Sequence, residues 1–227
     1  MTRPDAWTMA NAISREQKAA KADAIATAAL ALNREMRFEE WTVAQVARRA
    51  GVAKGTVFLY YESKEALGLA VAQRLMGEWL DDLDGRLEAE SPLTPAAAAQ
   101  AVARSLESRV LRRAMGLIGQ MEHGAGRASV ERYRTWLLDR FDRTGRLLEG
   151  RLSFLRPGEG LRLLLLIQAL AVGYHALAEP TPVVDAVLAE ERFARLRMDF
   201  RRAVAESVWM QLEGLRASRP ALNGAIR

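Results

Sequence analysis

Residues 42–64, Thr-Val-Ala-Gln-Val-Ala-Arg-Arg-Ala-Gly-Val-Ala-Lys-Gly-Thr-Val-Phe-Leu-Tyr-Tyr-Glu-Ser-Lys, leave this chain few folds to adopt. Thr42 is placed to cap a helix, and Gln45, three positions on, completes a capping box. Val43, Val46, Ala47 and Ala50 keep one apolar face, and Gly51 supplies the residue that turns the chain. Val52 is positioned to plug the gap before the next helix. That second helix, expected over about Lys54–Tyr60, opens with the small, donor-rich Lys54, Gly55 and Thr56, as a helix entering the major groove by its N-terminal end must. Ser63 then caps a third helix. Its first residue, Lys64, sets a positive charge beside free amide N–H groups, a good arrangement for gripping phosphate. The segment reads as a DNA-reading helix-turn-helix.

Over residues 52–67, Val-Ala-Lys-Gly-Thr-Val-Phe-Leu-Tyr-Tyr-Glu-Ser-Lys-Glu-Ala-Leu, the chain resembles the signature of the tetracycline-repressor (TetR) family of bacterial regulators. The resemblance is specific over residues 14–70; beyond them it rests on length and helical character. It implies roles residue by residue. Lys54 and Thr56 would reach base edges or adjacent phosphates, and Gly55 would let the backbone come close. Tyr60 would give its hydroxyl to a phosphate, Lys64 a charge, and Thr42 would meet phosphate at the start of the first helix. Val46, Ala47, Val57 and Phe58 would pack, while Arg48 and Arg49 touch either DNA backbone or water.

Four positions depart from the family pattern. Ala53 replaces a usual serine, so the second helix lacks a side-chain cap, a loss of roughly 0.5–2 kcal/mol. Phe58 stands where tyrosine commonly offers a hydroxyl to phosphate. Tyr61 stands where a buried phenylalanine is usual, so its hydroxyl needs a partner. Trp41 precedes Thr42 where a smaller residue is common.

Composition narrows the alternatives. The chain contains no Cys, which excludes disulfides, thiolate metal sites and cysteine nucleophiles and makes a reducing cytoplasm the natural compartment. Its N-terminus lacks the pattern of a secretion signal. The most apolar run, Leu161 to Ala178, is interrupted by Arg162, Gln168 and His175 and reads as a buried helix rather than a membrane span. The formal charge of +5 suits nucleic acid, but the arginines are spread along the chain. Arg192, Arg195, Arg197, Arg201 and Arg202 read as a solvated helix face.

No strand-like alternation and no repeat interrupts the helical periodicity, so an all-α fold of about nine helices is expected. Residues 1–12 are expected as a flexible arm and residues 13–62 as the helix-turn-helix domain. Ser14 and Gln17 would open its first helix with a capping box, its core side Ile25, Ala29, Leu32 and Met36. Residues 63–218 are expected as a helical ligand-binding and dimerisation domain, and 219–227 as a flexible tail. Within it, Leu67, Val71, Leu75, Trp79, Leu83 and Leu87 stripe a long helix belonging to both domains. Thr94 and Pro95 restart the chain after it. His123-Gly124-Ala125-Gly126 and Arg156-Pro157-Gly158 break later helices. Residues 160–178 should be buried on several sides. A last helix is expected over about 183–217, with Phe193, Leu196, Phe200, Val204, Val208, Leu212 and Leu215 on one face.

Catalysis finds little support. His123 and His175 are far apart, no HExxH or Cys/His metal spacing occurs, and the glycines follow no strand. No catalytic, metal or cofactor site is therefore expected. Trp79, Met115 and Trp136, with the polar Gln120, His123, Gln168 and Tyr174, are the candidates to line an effector cavity. The resemblance implies a homodimer built on the last two long helices. There Ala169, Gly173 and Ala176 allow close approach, and Phe193, Phe200 and Trp209 supply area. The expected function is a transcriptional regulator, a repressor released from a palindromic DNA operator by a small hydrophobic or amphipathic molecule. The alternative is a helical small-molecule-binding or scaffold protein whose DNA-binding end has degenerated.

Overall fold

Helix α1, Ala6–Glu35, buries Ile25, Ala29 and Leu32 along one side. The computed structural model of the protein describes residues 6–218, with side chains from residue 16 onward. The arm at residues 1–5 and the tail at 219–227 lie outside the described residues. Residues 6–12, expected in the arm, belong to α1, so Ser14 lies inside a helix rather than at its cap. The alanine-rich sequence on both sides of Ser14 favours continuing the helix over stopping it.

Nine further α-helices follow: α2 Val43–Arg49, α3 Lys54–Tyr60, α4 Lys64–Ala89, α5 Pro95–Ser105, α6 Arg109–Gly124, α7 Arg127–Arg151, α8 Glu159–Ala178, α9 Pro182–Leu188 and α10 Phe200–Ala217. A 3-10 helix, Glu191–Leu196, lies between the last two. There is no strand among the described residues. The fold is all-α, with ten α-helices among the described residues where about nine helices were expected.

The extra element comes from the end of the chain. The continuous helix expected over 183–217 is divided into α9, the 3-10 helix and α10. The Arg197 guanidinium donates to the carbonyls of Leu188 and Ala189 at 2.7 and 3.1 Å, closing off α9. Asp199 accepts from the amide of Arg202 at 2.7 Å and starts α10 afresh. Apolar periodicity runs through both breaks, which is why spacing alone did not show them.

The chain divides into two compact units. The first comprises the described residues up to Ala72 with Ile118–Tyr133; the second comprises Gln73–Leu117 and the residues from Arg134 on. This division falls ten residues past the boundary expected at residue 62 and adds a later segment to the first unit. Helices α1 to α3 are too small to bury their own apolar faces and recruit the start of α4 and residues 118–133. At Gly68 of α4 a Cβ would lie 2.6 Å from the Phe38 ring and 3.1 Å from the Met121 sulfur.

In the second unit α4 and α7 are joined by polar contacts. Thr144 donates to the buried Asp84 carboxylate at 2.6 Å, and Arg140 pairs with Asp81 at 2.6 Å. Trp79 meets Phe141 edge to face and donates its indole N–H to Ser105. Helices α7 and α8 touch backbone to backbone, because a Cβ on Gly160 would lie 2.2 Å from the Gly145 carbonyl oxygen. Helix α10 packs against α5 and α8 through Val204, Ala205, Val208 and Leu212.

Helix α8 differs from its expected burial. Leu163, Leu164, Ile167 and Ala171 are buried, but Leu165, Ala169, Gly173, Ala176 and Leu177 are exposed. One face packs in the chain, and the other is uncovered among the described residues. By length and composition alone α8 would also suffice to cross a membrane.

Candidate nucleic-acid interface

The Thr42 side chain accepts from the Gln45 amide, and the Gln45 side chain accepts from the Thr42 amide at 2.7 Å, closing the capping box that starts α2. Gly51 takes a positive φ of 67° between α2 and α3, a conformation that costs a glycine little. The core under the turn is Val43, Val46, Ala47 and Val57, all buried. Ala53 precedes α3 with no side-chain cap, and the backbone alone closes that turn. The Tyr61 hydroxyl donates to the Ala22 carbonyl of α1 at 3.1 Å, which is the partner a tyrosine at this position requires. The end of α3 is thereby tied to α1.

What α3 leaves outside is its opening turn and one side. Lys54 and Gly55 are exposed, with Thr56 and Tyr60 half-buried at its edge. Phe58, expected to pack, is 44% exposed, and Leu59 is 82% exposed. Lys54, Gly55, Phe58 and Leu59 share one side of α3 by helical spacing. Leu59 was missed because an apolar residue on a short helix reads as core; its signal is that Val57 already fills the inward position. Of the two arginines on α2, Arg49 forms an ion pair with Glu35 of α1 at 2.6 Å, and Arg48 is exposed.

Lys64 is redirected. Its ammonium donates to the Glu39 carbonyl at 3.3 Å and lies 4.6 and 4.8 Å from the Phe38 and Trp41 ring centres. Burial there holds its pKa below the ordinary lysine value, against the pull of Glu65 and Glu39. The charge at the start of α4 is therefore already engaged by the turn between α1 and α2, at a half-exposed position.

The seven effector candidates are divided between the two units. Gln120 and His123 are exposed in the first unit. In the second unit Trp79 and Met115 are buried core, and Trp136 lies 3.6 Å from where a Gly77 Cβ would stand. Gln168 is half-buried on α8, and the Tyr174 hydroxyl is bonded to Ser207 of α10 at 2.7 Å. Periodicity does not distinguish a wall from a core. A concave site of the second unit lies elsewhere, a groove of about 450 Å³ between α5 and α10. Ala96, Ala99, Ala205 and Trp209 form its apolar walls, with Gln100, Arg201, Arg202 and Glu206 around them. Of the dimer candidates, Ala169, Gly173, Ala176 and Trp209 are exposed, and Phe193 and Phe200 are half-buried. Phe200 lies under the Arg112 guanidinium at 4.2 Å, within its own chain.

A capped α2, a glycine turn and an α3 anchored by Val57 and Tyr61 with its opening turn in solvent define a helix-turn-helix transcriptional regulator. The description "Bacterial regulatory proteins, tetR family" matches residues 25–71, and "Tetracyclin repressor-like, C-terminal domain" matches residues 73–219. The chain belongs to the TetR family. Among curated relatives, the regulator RutR of Escherichia coli K12 is 38% identical over 74 residues, 33% of this chain and 35% of RutR. YvdT of Bacillus subtilis, itself an uncharacterised helix-turn-helix-type regulator, is 33% identical over 75 residues, 33% of this chain and 39% of YvdT. The match thus spans little more than a third of these relatives. The TetR-family repressor AlkX from Dietzia shares the fold at 15% identity, with a TM-score of 0.55 over 86% of this chain and 94% of AlkX.

Proposed function

We propose that the protein is a cytoplasmic homodimeric repressor that holds a two-fold symmetric DNA operator and is released by an apolar or amphipathic small molecule. The observation that carries the DNA reading is the exposed side of α3, Lys54, Gly55, Phe58 and Leu59, on a helix anchored from behind. Lys54 and Thr56 read base edges, Gly55 admits the backbone, and Leu59 offers an apolar surface to thymine methyl groups. Tyr60 and Thr42 hold phosphates that set the register.

The homodimer is supported by the uncovered apolar face of α8 with Trp209 and Met210 of α10, both exposed. Two recognition helices then read half-sites about one DNA turn apart. The α5–α10 groove, with alanine walls and half-exposed Trp209, supports an amphipathic effector. Helix α4 contributes residues to both units and is the route by which effector binding biases the reading head. The effector shifts a population between two dimer geometries, limited by its differential affinity for them.

Selection of bound sequences from random DNA tests this reading and is expected to return an inverted repeat. Lys54→Ala should cost about 1–3 kcal/mol at its own base pair while leaving nonspecific affinity nearly intact. Recovery of no symmetric site, or an unaltered base preference in K54A, would refute it.

A further inference from the structure

The first residue of α4 is a lysine whose charge is already engaged. Trp41 is fully buried, donates its indole N–H to Asn33 of α1 at 3.4 Å, and meets Phe38 edge to face with ring centres 5.2 Å apart. Phe38 in turn rests on α4 at Gly68. The Lys64 ammonium stands against both rings and donates to the carbonyl of Glu39, between them in sequence. One cation thus binds three residues of the turn between α1 and α2, Phe38, Glu39 and Trp41. The residue after Trp41 is Thr42, whose capping box starts α2.

We infer that Lys64 acts in operator recognition as a positioning residue and not as a phosphate ligand: by holding Phe38, Glu39 and Trp41 against the start of α4, it sets the turn that places Thr42 and the first turn of α2. The contacts this ammonium makes in the chain are all to the turn, one N–H on the Glu39 carbonyl and two ring faces beside it, where cation–π attraction adds to the hydrogen bond. Trp41, unusually large for its position, provides one of those faces. The phosphate contact at this end of the molecule then falls to Thr42, whose placement Lys64 controls.

This inference rests on the DNA-binding reading above, and the test separates the two. Lys64→Met keeps the length and apolar stem but removes the charge; Lys64→Arg keeps the cation and stacks on rings. Operator affinity is measured against salt for the wild type, K64M, K64R, Phe38→Leu and the K64M/F38L double variant. A positioning role predicts roughly tenfold weaker operator binding in K64M with an unchanged salt slope. K64R should recover most of the loss, and the double variant should lose less than the product of the two single losses. A salt slope lower by about 0.9 per subunit in K64M, with F38L binding normally, identifies a phosphate ligand and overturns the inference. Wild-type affinity in K64M overturns it equally. The same variants are compared by urea unfolding, which reads the coupling between Lys64 and Phe38 without DNA. Additive effects there sink the inference whatever the DNA result. Coupling that persists in a wild-type protein binding no symmetric operator refutes the DNA-binding reading alone.

Discussion

The Glu179 carboxylate, just past the end of α8, is held by two arginines of α6, Arg112 at 2.5 Å and Arg109 at 2.7 Å. Burial alone would raise its pKa, but hydrogen bonds from Arg112 and Arg109 outweigh that and hold it below the ordinary 4.5. Arg112 is itself buried, its side chain 7% exposed, and also donates to the carbonyls of Leu106 and Glu107. Removing Glu179 strands that charge, so Glu179→Ala is expected to cost about 3–5 kcal/mol in denaturant unfolding. His175 lies on the other side of the carboxylate, 3.5 Å away. Burial lowers its pKa below 6.5, Glu179 opposes this, and Arg112, Arg109 and Arg113 reinforce it. A histidine depressed in the fold takes up its proton more readily when unfolded. Its contribution is therefore complete above 6.5 and is lost as pH falls from 6.5 through its lowered folded value. Glu179, also depressed, contributes stability above 4.5 that is lost only at still lower pH. Urea midpoints should thus drop between about pH 7.5 and 5.5 in the wild type and drop less in His175→Asn. Equal drops would remove His175 from the account.

Among the elements, α7 and α8 touch backbone to backbone, and the contact depends on two absent side chains. A methyl on Gly160 would lie 2.2 Å from the Gly145 oxygen, a backbone atom that cannot rotate aside. Gly160→Ala is expected to destabilise by at least about 1–3 kcal/mol through overpacking. Gly85 lies on the exposed side of α4 with nothing within 4 Å of its missing Cβ, so Gly85→Ala is expected to gain up to about 1 kcal/mol from helix propensity. Thermal unfolding of the two variants should move in opposite directions; a common sign would show that backbone contact is not what distinguishes these glycines. The reading head was largely legible at this scale. Caps and turns are local chemistry, so Thr42, Gly51, Thr94 and Pro95 stand at the element ends where spacing put them. The break between α9 and α10 was not legible, because Arg197 makes it by reaching back eight and nine residues to carbonyls that no periodicity marks.

At the scale of the whole molecule, α8 leaves one apolar face exposed among the described residues. A Cβ at Gly173 meets nothing within 4 Å in the single chain, so Gly173→Glu is compatible with the folded protomer. In a dimer built on this face it would bury an unpaired carboxylate, at a cost of several kcal/mol. Sedimentation should show folded G173E as a monomer with much weaker operator binding, since one recognition helix reads too little DNA. An intact G173E dimer would place the interface on another face.

The sequence by itself determined the all-helical class, the helix-turn-helix and its family, because each rests on contacts between residues a few positions apart: a capping box, a glycine turn, an apolar stripe. It also marked Tyr61 as needing a partner and Ala53 as an absent cap. Only the tertiary structure decided that the partner of Tyr61 is a carbonyl of α1, that Leu59 faces out, and that the Lys64 ammonium lies on Phe38 and Trp41. It moved the candidate concavity from Trp79, Met115, Trp136 and Tyr174 to the groove beside Trp209. The reason is common to all of these. A side chain's type and period say that it will be buried or paired, but the surface it meets is supplied by segments far away in sequence, and only packing brings them together.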